Sequence, residues 1–242
     1  MSEKVFVIFS REFKSFFQSK LVWFVFCIYT FFMVSSSFMQ IKLGLWNDAN
    51  LSSFFVMQLN LMIMLIPSLS IKLWSEEKKT GTYELTISLP IKYSSLVLGK
   101  FLAIWVMSGL VLLSTMGMWF IVAMLLKLNN LIVLQNYFYL WIICGSLCAI
   151  SMASSVFVVN PISSFVISLA FCLFAVWFNI ADIVLLFDSS EITLRASESL
   201  NFRVHFQNIL AGQISLSSIF YFISLGVVAL LFNTVCIGWW RK

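Results

Sequence analysis

The chain has 242 residues, 61% of them hydrophobic and only 10% charged, with a mean hydropathy of +1.00. Soluble domains carry about 45–50% apolar and roughly 25% charged residues, so this composition excludes a soluble globular fold and leaves a polytopic, all-helical membrane protein. The net charge of +5 then marks membrane-flanking loops and not a nucleic-acid surface.

Residues 3–20 set Val5, Ile8, Phe9, Phe13, Phe16 and Phe17 at helical spacing, with Lys4, Arg11, Glu12, Lys14 and Lys20 between them. That pattern predicts an amphipathic helix lying in the membrane interface. The long basic region, Glu12 and the lack of a small-residue cleavage site speak against a cleaved signal peptide. Residues 21–41 carry no charge and as a helix would rise about 31 Å, enough to cross a bilayer. A polar excursion at 42–52 leads to a second span at 53–71, in which Pro67 is expected to kink the helix.

Residues 72–100 hold eight of the chain's 25 charged residues, between two long apolar segments. This is read as a water-exposed loop at one membrane face. A third span is predicted at 101–126. Residues 128–181 contain no charge and are too long for one helix; Asn160-Pro161 divides them into spans near 137–158 and 162–186. Residues 187–215 mix charged and apolar positions, as short external interfacial helices would. A sixth span at 216–237 ends in Trp239, Trp240, Arg241 and Lys242, an aromatic and basic stop. The N-terminal segment, the 72–100 loop and the C-terminal tail hold 11 of the 15 Lys and Arg. The positive-inside rule therefore puts both termini and that loop in the cytoplasm.

Soluble-enzyme chemistry is not visible. There is one His and five Cys, and neither a metal-spaced cluster nor a nucleophile–base set stands out. Gly99-Lys100 lacks the glycine five residues earlier that a phosphate-binding loop requires. No cofactor or metal is expected in the chain, and it is not expected to hydrolyse ATP. The cysteines fall in apolar stretches and are read as small hydrophobes. Asn60, Asn179 and Asn233 lie in spans, where interhelical hydrogen bonding is the expected use. Asp182 is placed at the outer interface, and His205 is expected to pack or hydrogen-bond.

The loop reads Glu76-Glu77-Lys78-Lys79-Thr80-Gly81-Thr82-Tyr83-Glu84-Leu85, then Leu89-Pro90 and Leu98-Gly99-Lys100. This resembles the signature loop of ABC-2-type transporter permeases: an acidic–basic pair, Gly-Thr-x-Glu, a Pro about six residues on, and Gly-Lys opening the third span. Thr86 stands where that family usually has a second leucine. Ser154-Ser155 with Asn160, and His205-Phe206 with Gly212 followed by Tyr221-Phe222, extend the likeness over nearly the whole chain. The look is that of the short six-span branch, which includes gliding-motility-type and nitrous-oxide-reductase-maturation-type permeases.

The resemblance implies a bacterial inner-membrane subunit driving export, paired with a cytoplasmic ABC ATPase that binds ATP and Mg. The loop would form a coupling helix docked on that ATPase: Glu76, Glu77 and Lys79 supply polar contacts, Gly81 permits a tight turn beside Thr82, and Glu84 sits near the membrane face. Pro90, Gly99 and Lys100 would form the entry to span three. A second permease subunit, identical or a sister, completes the pathway, and a periplasmic auxiliary protein is a further partner of such systems; nucleic acid is not expected. Two other readings stay open on the sequence: an ABC-type membrane scaffold of a motility or cofactor-maturation machine, and an ATP-independent secondary transporter.

Overall fold

Main-chain groups in a bilayer have no water to bond, so long apolar segments satisfy them internally as helices. A computed structural model of the chain describes residues 2–42, 51–88, 91–125, 129–178, 199–213 and 216–239, and every regular element among them is helical. In chain order these are α1 (Ser2–Gln18), α2 (Lys20–Lys42), α3 (Ser52–Lys79), α4 (Thr82–Ser88), α5 (Tyr93–Ser114), α6 (Met116–Leu125), α7 (Asn130–Ser155), α8 (Pro161–Trp177), α9 (Phe202–Leu210) and α10 (Leu216–Trp239). Five segments are long and apolar enough to cross a membrane: α2, α3, the joined run of α5 and α6, α7 and α10. α8 is apolar but shorter, at 17 residues.

α3 and α7 form the middle of the bundle. α3 lies against α7, α8 and α2; α5 lies against α1 and α7; α10 covers another side of α7. Only 22% of the α2 span window and 17% of that of α10 are buried, against 67% for α3, so α2 and α10 form the periphery. Apolar burial gives no drive between helices already in lipid, where packing and polar contacts hold them. Those contacts are here. Ser151 donates to Ser70 at 2.6 Å, tying α7 to α3, and Ser154 donates to Ser168 at 2.8 Å, tying α7 to α8. The Gln58 amide donates to Thr115 at 2.7 Å, and Thr115 lies 3.2 Å from the Tyr137 hydroxyl. Thr115 is also the break between α5 and α6, its hydroxyl turned back to the Leu112 carbonyl.

α5 and α7 are joined by a reciprocal pair. The Trp105 indole donates to the Trp141 carbonyl at 2.9 Å, and the Trp141 indole donates to the Trp105 carbonyl at 3.2 Å. The rings stack at 4.6 Å. Each indole lies on a glycine one turn along the opposite helix: a Cβ on Gly145 would stand 2.9 Å from Trp105 Nε1, and one on Gly109 2.7 Å from Trp141 Nε1.

The structure corrects the expected boundaries of the loop. α3 continues to Lys79 and α5 already begins at Tyr93, so most of residues 72–100 are helical. The reason is burial. Leu73 and Trp74 on the extension of α3, and Leu96, Val97, Gly99 and Lys100 on the first turns of α5, are packed inside, and a helix persists where a face of it is buried. At 28 residues α3 is about 42 Å long, more than the roughly 30 Å of a hydrocarbon core, so its end stands outside. Gly99 and Lys100 therefore lie two turns inside α5 and do not open it. α3 also runs through Pro67 as one helix, with Ser68 and Ser70 hydroxyls bonded back to the Leu65 and Pro67 carbonyls.

The asparagine expectation is corrected as well. Asn60 is exposed on the bundle surface, and Asn233 is buried with neither amide atom hydrogen-bonded; Gln58 and the serines make the interhelical bonds instead. Asn179, Asp182, Lys127, Leu89, Pro90, Trp240, Arg241 and Lys242 lie outside the described residues, as do the end of the expected fifth span and residues 187–198 and 214–215.

Candidate functional site at the end of α3

The charged end of α3 is built from helix-terminus chemistry. Lys78 and Lys79 fall in the last turn, where cations suit the negative end of the helix dipole. The Thr80 amide bonds the Glu76 carbonyl at 2.9 Å and the Gly81 amide bonds the Lys78 carbonyl at 3.3 Å. Gly81 has a φ of 73°, a left-handed conformation that glycine adopts without Cβ strain and that commonly ends helices. The Thr80 and Thr82 hydroxyls lie 2.9 Å apart and both reach the Glu77 carbonyl. This turn sends the chain into α4, with Glu84 in its first turn.

Each side chain of the acidic–basic run has a different direction. Glu77 turns inward, its side chain 15% exposed, and meets Lys100 at 2.6 Å. The Lys78 amine donates to the Val156 carbonyl just past α7 and sits over the Tyr83 ring at 5.1 Å. The Lys72 amine donates to the Ser15 carbonyl of α1, over the Phe16 ring. Glu76 is half-buried, whereas Lys79, Thr80, Gly81, Thr82, Glu84 and Leu85 are exposed. Tyr83 is buried edge-on to Trp74; that burial, with the Glu77 charge beside it, pushes its hydroxyl up to about 12.

Lys100 is completely buried. Besides Glu77 it donates to the Leu73 carbonyl at 2.7 Å, lies over the Trp74 ring at 4.6 Å and faces Glu12 at 3.4 Å. An ammonium taken out of water is tolerated only when surrounded in this way. Glu12 is likewise buried and meets Arg11 at 2.5 Å; Arg11, half exposed, lies 3.4 Å from Glu77. Burial alone would push the Glu12 carboxyl up, but Lys100 and Arg11 outweigh it and hold the group below its ordinary value.

The structure thus separates the expected docking and span-entry residues into two sets. Glu76, Lys79, Gly81, Thr82 and Glu84 lie at or near the surface, while Glu77, Gly99 and Lys100 belong to an internal joint that also includes Arg11 and Glu12. Sequence reasoning placed Arg11 and Glu12 on a free interfacial helix. The available signal was the stripe of Ile8, Glu12 and Phe16, each four residues apart, which puts a carboxylate on the same side as two core side chains. Among the described residues, no group of three or more His, Cys, Asp or Glu could hold a metal ion.

At another part of the bundle His205 is buried, stacked on Tyr221 at 4.6 Å, with Nδ1 2.9 Å from the Ser218 hydroxyl and Nε2 2.8 Å from the Ser199 carbonyl. Both ring nitrogens are engaged, so His205 joins α9 to α10 by packing and hydrogen bonding. Asn160 caps α8, its side chain accepting from the Ile162 amide at 3.1 Å.

The long apolar helices and the charged joint at the end of α3 define a multi-pass helical membrane protein. The family model described as ABC-2 family transporter protein matches residues 8–179, well over half of the chain, and the chain belongs to that family. Such permeases are in general non-catalytic membrane components that work with an ATPase. A search among curated proteins finds no match.

Proposed function

We propose that the chain is the permease subunit of an ATP-binding-cassette exporter, moving its substrate out of the cytoplasm or the inner leaflet and powered by a separate ATPase that docks on residues 79–85. The observation that carries this reading is the division of charge at the end of α3. Glu77 and Lys100 neutralise each other inside, and the surface left over is a short strip, Lys79, Thr80, Gly81, Thr82, Glu84 and Leu85, on a tight turn and a seven-residue helix. Leu85, 69% exposed, closes that polar strip beside Glu84. An isolated apolar knob rimmed by charges is the form of a protein contact, with a buried anchor and a polar rim.

α4 is then the coupling helix. Closure of two ATPase subunits would push it, and α3, packed against it, and α5, the next helix in the chain, would tilt and alternate access. Counting α8, whose 17 residues rise about 25 Å, with the five longer segments gives six spans. The distribution of Lys and Arg supports cytoplasmic termini and a cytoplasmic α4, in a bacterial inner membrane. With six spans and short external loops the chain would fall in the short six-span branch of the family. The lightly buried α2 and α10 leave faces for lipid and for a second permease subunit.

Co-purification in detergent with the cognate ABC ATPase tests the assignment. Wild type should retain the ATPase, while Leu85→Asp and Glu84→Lys should lose it yet still insert. Equal retention by all three proteins, or no retention by wild type, would remove residues 79–85 as the docking surface.

A further inference from the structure

A helix lying free on a membrane keeps its carboxylates on the water side. Glu12 does not: it is buried against α5, on the stripe it shares with Ile8 and Phe16. Four charges from three helices meet there. Arg11 and Glu12 come from α1, Glu77 from α3 and Lys100 from α5, and they alternate in sign around a closed ring. Two sides are short, Arg11–Glu12 at 2.5 Å and Lys100–Glu77 at 2.6 Å. The other two, Arg11–Glu77 and Lys100–Glu12, are both 3.4 Å. A single oxygen of each carboxylate thus faces both cations.

The ring is not the only attachment of α1. The Lys72 amine holds the Ser15 carbonyl. Gly99 lets α5 approach so closely that an added Cβ would lie 2.7 Å from Ile8 Cγ2 and 3.1 Å from the Val5 carbonyl oxygen. On its other side α1 carries a run of neighbouring rings, Phe6, Phe9, Phe13 and Phe17, which continues through Trp23 to Phe26 of α2. At about 100° per residue this aromatic row and the stripe of Ile8, Glu12 and Phe16 occupy different faces. One face of α1 is committed to the protein, while the aromatic row leaves Phe6 and Phe17 exposed for the membrane interface and rests Phe9 and Phe13 partly against the core.

We propose that Arg11 and Glu12 are positioning residues for the docking strip: through Glu77 and Lys100, α1 braces the end of α3 against the membrane surface, so a load taken on α4 is carried into α1 and α5 together. The proposal rests on the docking reading above. The alternating ring suits a joint that moves. When α1 slides along α5, the helix it packs on, Arg11 can shift its weight between Glu12 and Glu77 with no charge left uncompensated in a buried place, which is the costly event for an ion pair. Small sliding between packed helices is a recognised mode of domain motion. Arg11, half exposed, is the mobile member, and Lys100, fully enclosed, is the fixed one.

The test uses the full chain in complex with the ABC ATPase in liposomes. Spin labels are placed on exposed Lys14 and Ser88 in a Cys27→Ser background, and ATP hydrolysis is measured on the same samples. Arg11→Gln alters the exposed member of the ring and is the variant expected to fold; Glu12→Gln is the stronger one. Both should keep the ATPase bound, broaden the label distance distribution, and lower permease-stimulated hydrolysis roughly fivefold or more, the lower end of an allosteric coupling. Glu77→Gln should fail in the same way, and Arg11→Lys, which keeps a cation between the two carboxylates, should recover much of what Arg11→Gln loses, which a purely steric role would not allow. A narrow distance and full stimulated hydrolysis in Arg11→Gln would overturn the brace while leaving docking intact. Failure of wild type to hold the ATPase would instead overturn the docking reading.

Discussion

Among the described residues Lys100 is the fully enclosed cation, and its ammonium is balanced by carboxylates from two other helices. Replacing it with Met removes the cation and leaves Glu77 and Glu12 facing each other across a dry joint. Removing one partner of a buried pair costs about 3–5 kcal/mol, so Lys100→Met should melt far below wild type in detergent. Lys100→Met with Glu77→Gln should regain part of the loss, since fewer uncompensated charges remain. Additive losses in that double variant, measured by thermal unfolding, would mean that the two residues do not interact. The tryptophan pair makes a second prediction at this scale. Gly109→Ala or Gly145→Ala would drive a methyl into an indole at under 3 Å, with the roughly 1–3 kcal/mol penalty of overpacking. The two changes together should cost clearly less than their sum, because the first already opens the clasp both share. Thermal stability of the two single variants and the double variant decides it.

α1 is an element whose attachment has a pH sign. Glu12 is held below its ordinary carboxyl value of 4.5 in the folded protein, so its ionised form is favoured by folding. Its contribution is complete above that ordinary value and is lost as pH falls through the lowered folded one. Glu77, the other carboxylate of the ring, is pushed above its ordinary value by burial and takes up its proton first, so the Glu12 contribution is read in a Glu77→Gln background. There, amide exchange of residues 2–18 should stay protected through the usual carboxylate range and open further only below it; a further opening centred at or above 4.5 would contradict the pairing of Glu12. A second element, α7, is bonded to α3 and α8 through serines. Hydroxyl pairs between membrane helices measure about 0.6 kcal/mol on average and at most about 1.7. The Ser70–Ser151 pair should show a coupling within that range in a double-mutant cycle to Ala; a larger value would mean that the pair does more than join two helices.

For the whole molecule, the consequence of the fold is that three lysines of the charged segment each join a different part of the bundle. Lys72 reaches α1, Lys78 reaches the end of α7, and Lys100 links α5 back to α3. The end of α3 cannot move without moving its neighbours, which is what a force-receiving element requires. The family, the helical class and the charged segment were all legible in the residues, because hydropathy and charge along a chain are local quantities that need no knowledge of neighbours. Glu12 was read only as one of the charges between the apolar positions of α1, although the four-residue spacing of Ile8, Glu12 and Phe16 puts it on their stripe. The direction of each charge was not legible. Glu76 and Glu77 are adjacent and chemically alike, yet one is half-buried at the rim and the other is paired inside, because only the three-helix meeting of α1, α3 and α5 supplies Lys100 and Arg11 to the second. The same meeting kept residues 72–79 and 93–100 helical, against the look of a polar loop, since burial of Leu73, Trp74 and Leu96 stabilises turns that their charged neighbours obscure. The sequence by itself determined that the chain enters a membrane as helices and where its charges collect. Which of those charges become a joint and which remain a surface was decided by tertiary structure alone, because pairing depends on groups separated by tens of residues and brought within hydrogen-bond reach.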